Sequence, residues 1–149
     1  MIFVGLAWGA VPVNPNRLKK HYSHALVAFA GPFTNFILFL LFVLGASIVF
    51  VLSKGAIAES RVFQLFLTGG VLNIVLLLFN LIPVPPLDGW TIFTFIFPGI
   101  HKINQEVRNG IIFGLFIFII FAIDKLFLAG YYCVIFLLKL IVPIIGSLM

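Results

Sequence analysis

Two side chains in the middle of this chain are of types that can do chemistry where water is scarce, Asn80 and Asp88. Asp88 closes the run Asn80-Leu81-Ile82-Pro83-Val84-Pro85-Pro86-Leu87-Asp88-Gly89, at the end of an apolar stretch that begins after Arg61. Three prolines precede it, and it has no basic neighbour in sequence. A carboxylate at membrane depth is costly and by default marks a functional site. The alternative is an interfacial Asp at a helix end, facing the headgroups. The Asn80 amide can donate to a developing oxyanion or hold a substrate carbonyl. It can equally cross-link helices, at on the order of 1 kcal/mol. His21 and His24 are spaced i, i+3, with Tyr22 and Ser23 between them. A zinc-binding H-E-x-x-H helix places its histidines at i, i+4 with an acid between. These two therefore read as a juxtamembrane polar pair, and His101 as an interfacial residue.

Such groups need apolar helices to hold them. Of 149 residues, 63% are hydrophobic and 9% charged, against about a quarter charged in a typical soluble domain. So few polar groups cannot cover a surface in water, and lipid must be the solvent. The 19 Phe residues suit lipid-facing and interhelical packing. The net charge of +5 comes from residues scattered between apolar runs, where they orient helices. It implies no nucleic-acid partner. Cys133 is the single cysteine, which rules out an intrachain disulfide; it reads as a small packing residue. Met1 to Trp8 is apolar but lacks the basic n-region of a signal peptide.

These features predict an all-α integral membrane protein with about four transmembrane helices, one broken by a Pro-rich segment, and a short extended N-terminal loop. One membrane domain is expected over 1–149. Residues 1–22 form a linker loop, in which Val11-Pro12-Val13-Asn14-Pro15 favours extended backbone. A helix follows over 23–53, where Gly31-Pro32 should introduce a kink. Residues 62–89 form a second helix, ended by Pro83, Pro85 and Pro86, with Asn73 and Asn80 on one face. Non-helical backbone at that depth is tolerated only where protein or a water-filled cavity satisfies it, so the break should line a polar pocket holding Asp88. Residues 90–109 read as an interfacial segment: Trp90 to Pro98 is apolar but too short to span and is interfacial or partly re-entrant, and Gly99 to Asn109 is a cytoplasmic connector into the next helix. Two last helices are expected over 110–128 and 131–148, with Asp124-Lys125 and Gly130 marking the turn. The other possibility is that Asp124 and Lys125 pair inside one longer tilted helix.

The run from Asn80 to Gly89 resembles the second metal-binding motif, N-x-x-P-x-x-x-L-D-G, of the site-2 protease family of intramembrane zinc metalloproteases. Ala30-Gly31-Pro32-Phe33-Thr34-Asn35 resembles the family's A-G-P-x-x-N motif, and Val11 to Pro15 its P-V-P-V-N-P segment, with Ala10 at the first proline. The three motifs occur in family order. The resemblance implies hydrolysis of a peptide bond in or near a transmembrane substrate. It implies zinc held by two His and one Asp, with Glu as general base. It makes Asp88 the metal ligand, Asn80 the substrate-positioning or oxyanion residue and Asn35 its support. Gly31, Pro32, Pro83, Pro85, Pro86, Leu87 and Gly89 would shape the site.

No H-E-x-x-H occurs in the sequence. The expectation is therefore a truncated chain, inactive on its own, or one completed by a separate polypeptide carrying that helix. The alternatives are a non-catalytic scaffold that binds substrate helices and an ion-coupled transporter fragment. The partners implied are a transmembrane protein substrate and the bilayer, and the location is a bacterial cell membrane. By the positive-inside rule, Lys19, Lys20, Lys102 and Arg108 face the cytoplasm and Lys54 to Arg61 the other side. In a Cys133→Ser background, Ile57→Cys is expected to react with an impermeant maleimide in intact cells. Reaction only after the cytoplasm is opened would reverse the orientation.

Overall fold

The computed structural model describes residues 22–54, 60–97, 99 and 104–148. They form four helices and, among the described residues, no strand: α1 Tyr22–Leu52, α2 Arg61–Asn80, α3 Asp88–Ile96 and α4 Gln105–Leu148. The linker loop over 1–22, with His21, lies almost wholly outside the described residues, and so does His101.

By length and composition α1, α2 and α4 can each cross a membrane. Helix α3, with nine residues, is far short of the roughly 20 a crossing needs. Helix α2 is started by Ser60, whose hydroxyl accepts from the Phe63 amide at 3.2 Å. That satisfies one of the amides left free at a helix start.

Helices α1 and α2 run antiparallel, and their glycines act as sockets for rings. A Cβ at Gly45 would fall 2.5 Å from the Phe66 ring, and one at Gly69 would fall 2.5 Å from the Phe42 ring. The two rings meet edge to face, centroids 6.0 Å apart. Small residues let helix backbones approach where lipid gives no hydrophobic drive to associate. Helix α4 uses the same device on α2. Val134 lies over Gly70, while Gly130 lies over Ile74 and Val75, so α4 runs antiparallel to α2. Phe39, Val43, Ala46, Phe63, Val71, Ile74, Val75, Val134 and Leu138 make the core.

Helix α4 departs from the expected pair of helices over 110–128 and 131–148. It is continuous for 44 residues, about 66 Å at 1.5 Å per residue, roughly twice the hydrocarbon thickness. The reason lies at Gly130, whose missing side chain admits Val75 and Ile74 rather than breaking the helix. Asp124 and Lys125 are exposed within the helix. Carrying the α2–α4 register six residues past Ile74 puts Asp124 level with Asn80, the end of α2. The charges thus mark where the bundle ends beside α4, and Gln105 to Ile123 continues past it. Cys133 is exposed on α4 rather than packed between helices.

Gly130 and Gly114 lie on one helix in opposite surroundings, since a Cβ at Gly114 meets nothing within 4 Å. Gly130→Leu is expected to cost about 1–3 kcal/mol by overpacking. Gly114→Ala should be neutral or stabilising by up to about 1 kcal/mol. Thermal unfolding in detergent measures both, and equal midpoints would contradict the α2–α4 contact.

Candidate functional site

Helix α2 ends at Asn80 and α3 begins at Asp88. The reading of one helix over 62–89 is corrected accordingly: Asp88 opens a new helix rather than closing the old one. The intervening turn is built around its donors. Leu81 N donates to Leu77 O at 3.1 Å, Ile82 N to Phe79 O at 3.1 Å, Val84 N to Ile82 O at 2.8 Å and Leu87 N to Val84 O at 2.9 Å. The remaining residues of the turn are Pro83, Pro85 and Pro86, which have no amide hydrogen. Every amide donor from Leu81 to Leu87 is therefore either paired or absent, as backbone away from water requires. The Pro85–Pro86 peptide is cis.

Gly89 fixes how tightly the turn folds back. A Cβ there would collide with the carbonyl oxygen of Leu81 and lie 2.5 Å from that of Ile82. Both obstacles are backbone and cannot swing away. The first turn of α3 thus lies directly on the last residues of the break. Buried Thr94 donates to Trp90 O at 2.9 Å.

The packing of α3 against α1 brings the two sequence motifs together. A Cβ at Gly31 would lie 2.8 Å from Oδ2 of Asp88 and 3.9 Å from its Cγ. The carboxylate therefore occupies the space a side chain at position 31 would fill. Pro32 next to it is fully buried, and α1 continues through it. Asp88 is half-buried, in the first turn of α3. The positive end of a helix dipole favours its anion by about 0.3–1 kcal/mol. Desolvation acts the other way and raises the carboxyl above its ordinary range. Among the described residues no cation pairs with it.

Asn35 and Asn80 are half-buried, and neither side chain makes a hydrogen bond among the described residues. Asn80 thus shows no interhelical cross-link there. Asn73, on the same face of α2, donates to Gly69 O at 2.8 Å and is used within its own helix. A hollow against Pro32 of about 320 Å³ is apolar, lined by Phe29, Pro32, Phe33, Phe36, Leu77 and Leu81, and Asp88 is not in its wall, so it is not the polar pocket expected at the break. Sequence reasoning missed the Ser60 cap, although Ser before an apolar run is a start signal. It also missed the packing role of Gly130, which it read as punctuation.

A tetrahedral zinc site needs three or four protein ligands. Among the described residues no three His, Cys, Asp or Glu side chains gather. Asp88 supplies one oxygen-donor carboxylate, so the described residues alone do not fit a zinc ion.

The structure thus defines a helical membrane protein with one carboxylate presented at a break between helices. The family model for Peptidase family M50 matches residues 45–122, a stretch that includes α2, the turn and α3. The chain belongs to this family, the site-2 protease family of zinc metallopeptidases. It is 34% identical over 128 residues to the protein named "Putative zinc metalloprotease YwhC" of Bacillus subtilis (strain 168), covering 80% of this chain. It spans 57% of that relative's length. No solved structure matches.

Two substitutions separate the roles of the glycines. Gly89→Ala must move backbone and is expected to cost at least about 1–3 kcal/mol. Gly31→Ala meets only a side-chain carboxylate that can rotate, so it should unfold close to the parent while displacing Asp88. Thermal midpoints in detergent check this ranking. A larger loss for Gly31→Ala than for Gly89→Ala would refute the seating of a free-swinging carboxylate against position 31.

Proposed function

We propose that this chain carries the carboxylate half of a site-2 protease-type metallopeptidase centre acting on transmembrane substrates. The carrying observation is the seating of Asp88 against Gly31, which joins the L-D-G and A-G-P-x-x-N motifs in a member of this family. In this reading Asp88 is the metal ligand contributed by this part of the protein. Zinc requires further ligands, which an H-E-x-x-H helix would supply, either from another polypeptide or from sequence beyond this chain. Without them the chain is inactive. No step of peptide hydrolysis is assigned to the described residues alone.

The roles open to this chain's own residues are positional. The break between α2 and α3 exposes Asp88 while keeping backbone donors paired, so a peptide approaching it meets few competing amides. Asn80 closes α2 with its side-chain amide uncommitted among the described residues, available to hold a substrate carbonyl. Asn35 lies one turn along α1 from Gly31 and supports the same region. The apolar hollow of Phe29, Phe33, Phe36, Leu77 and Leu81 suits the side chains of a membrane-spanning substrate.

The test is to co-produce the chain with a polypeptide bearing an H-E-x-x-H helix, then measure bound zinc and cleavage of a transmembrane reporter. Asp88→Asn is expected to lose the charged ligand and most of the activity. Asn80→Ala should keep zinc and cleave about 10²-fold more slowly, the scale of losing one oxyanion donor. If Asp88→Asn cleaves at the parental rate, Asp88 is no ligand. If a reporter helix is retained but never cut or metallated, the chain is a non-catalytic scaffold.

A further inference from the structure

At the other end of the bundle from Asp88, α4 presents a cation inside a helix apolar enough to cross a membrane: Lys139. An ionisable side chain in such a helix calls for a named partner. Among the described residues Lys139 has none. The chain has only four acidic residues, Glu59, Asp88, Glu106 and Asp124. Asp88 belongs to the opposite end. Asp124 lies about 22 Å back along the same helix at 1.5 Å per residue, and Glu106 further still. Glu59 is outside the described residues.

Lys139 lines a crevice of about 400 Å³ with Phe50, Phe63, Leu67, Ile135 and Leu138. Val142 and Pro143 close one wall of it. Pro143 sits within α4 and has no amide hydrogen to give the Lys139 carbonyl one turn back. Lys139 therefore brings a cation to the wall of an otherwise apolar crevice, next to a helix turn in which Pro143 removes one amide donor. Lys54, just after α1, and Arg61, the first residue of α2, add positive charge at this end. An apolar slot with one cation in its wall suits an amphiphile of opposite charge.

We propose that this crevice is a binding site for an anionic phospholipid. An acyl chain lies between α2 and α4 against Phe63, Leu67 and Leu138, and the phosphate is held by Lys139. A single Lys beside a phosphate headgroup attracts an anionic lipid by about 1 kcal/mol. The site is independent of the peptidase reading, because it lies at the far end of the bundle and uses none of the same residues.

The experiment is native mass spectrometry of the delipidated chain in detergent, titrated with phosphatidylglycerol or with phosphatidylcholine of the same chains. Phosphatidylglycerol is expected to bind about five-fold more tightly, the scale of one cation at a headgroup. Lys139→Gln should abolish that preference, and Lys139→Arg should keep it. Leu67→Trp, which fills the slot, should weaken both lipids. Equal affinities in the parent chain would overturn the proposal. So would a preference that survives Lys139→Gln, because the surface charge of Lys54 and Arg61 would then account for it. Lys139 is exposed, so its substitution leaves the fold intact; circular dichroism checks that independently.

Discussion

Backbone that leaves a helix away from water must still pair its amides, and the arrangement around Asp88 depends on how this chain meets that requirement. An unpaired backbone group in hydrocarbon costs several kcal/mol, so a seven-residue break at the end of a spanning helix is best tolerated when its donors are accounted for. The prolines remove donors at three positions, and short turns satisfy the other four. The prolines end α2, but removing donors is the more consequential effect. It permits a non-helical segment to present a carboxylate without burying orphan amides. Gly89 completes the arrangement by letting the new helix start directly on the carbonyls of the old one.

Glycine serves the rest of the molecule in a related way. Gly45 and Gly69 each receive a phenylalanine ring, Gly70 and Gly130 admit valine methyls, and Gly31 admits a carboxylate. The first four set the depth at which three helices pack. The fifth uses the same geometric freedom for a charged group. Because α1 carries both kinds of socket, its seating on α2 through Phe42 and Phe66 also fixes where Gly31 meets α3. Packing in the middle of the bundle and position at its end are therefore linked through one helix.

Much of this was legible in the sequence. The apolar runs placed α1 to within a residue at each end, and the proline cluster marked the break after Asn80. The pairing of Gly31 with Asp88 was accessible only through motif resemblance, because nothing in spacing alone says which glycine of α1 faces α3. The single long α4 matches the alternative of one longer helix rather than the favoured pair, for a physical reason. Gly130 beside a charged pair carries the signals of a turn, yet the same glycine is what close helix packing demands. Sequence cannot separate these uses without the partner surface, which is Val71, Ile74 and Val75. Asp124 and Lys125 were equally ambiguous, since charges flag the end of a bundle as well as the end of a helix.

The electrostatic position of Asp88 follows from magnitudes. A charged residue at the centre of a membrane helix costs about 2.5–3.5 kcal/mol on insertion scales. Asp88 sits at the start of the short α3 and outside the spanning helices, so its cost is smaller, but desolvation still raises its carboxyl above the usual range. The α3 terminus returns at most about 1 kcal/mol at an exposed helix end. A proton removes the remaining penalty, and a bound cation offsets it. Gly31 leaves the carboxylate room against bare backbone, with no side chain of its own to donate to it or neutralise it. A structural aspartate would be expected to have such a donor. Bare backbone on one side and a turn whose amides are already paired on the other leave the carboxylate oxygens uncommitted among the described residues. Uncommitted oxygens are compatible with the ligand role proposed for Asp88.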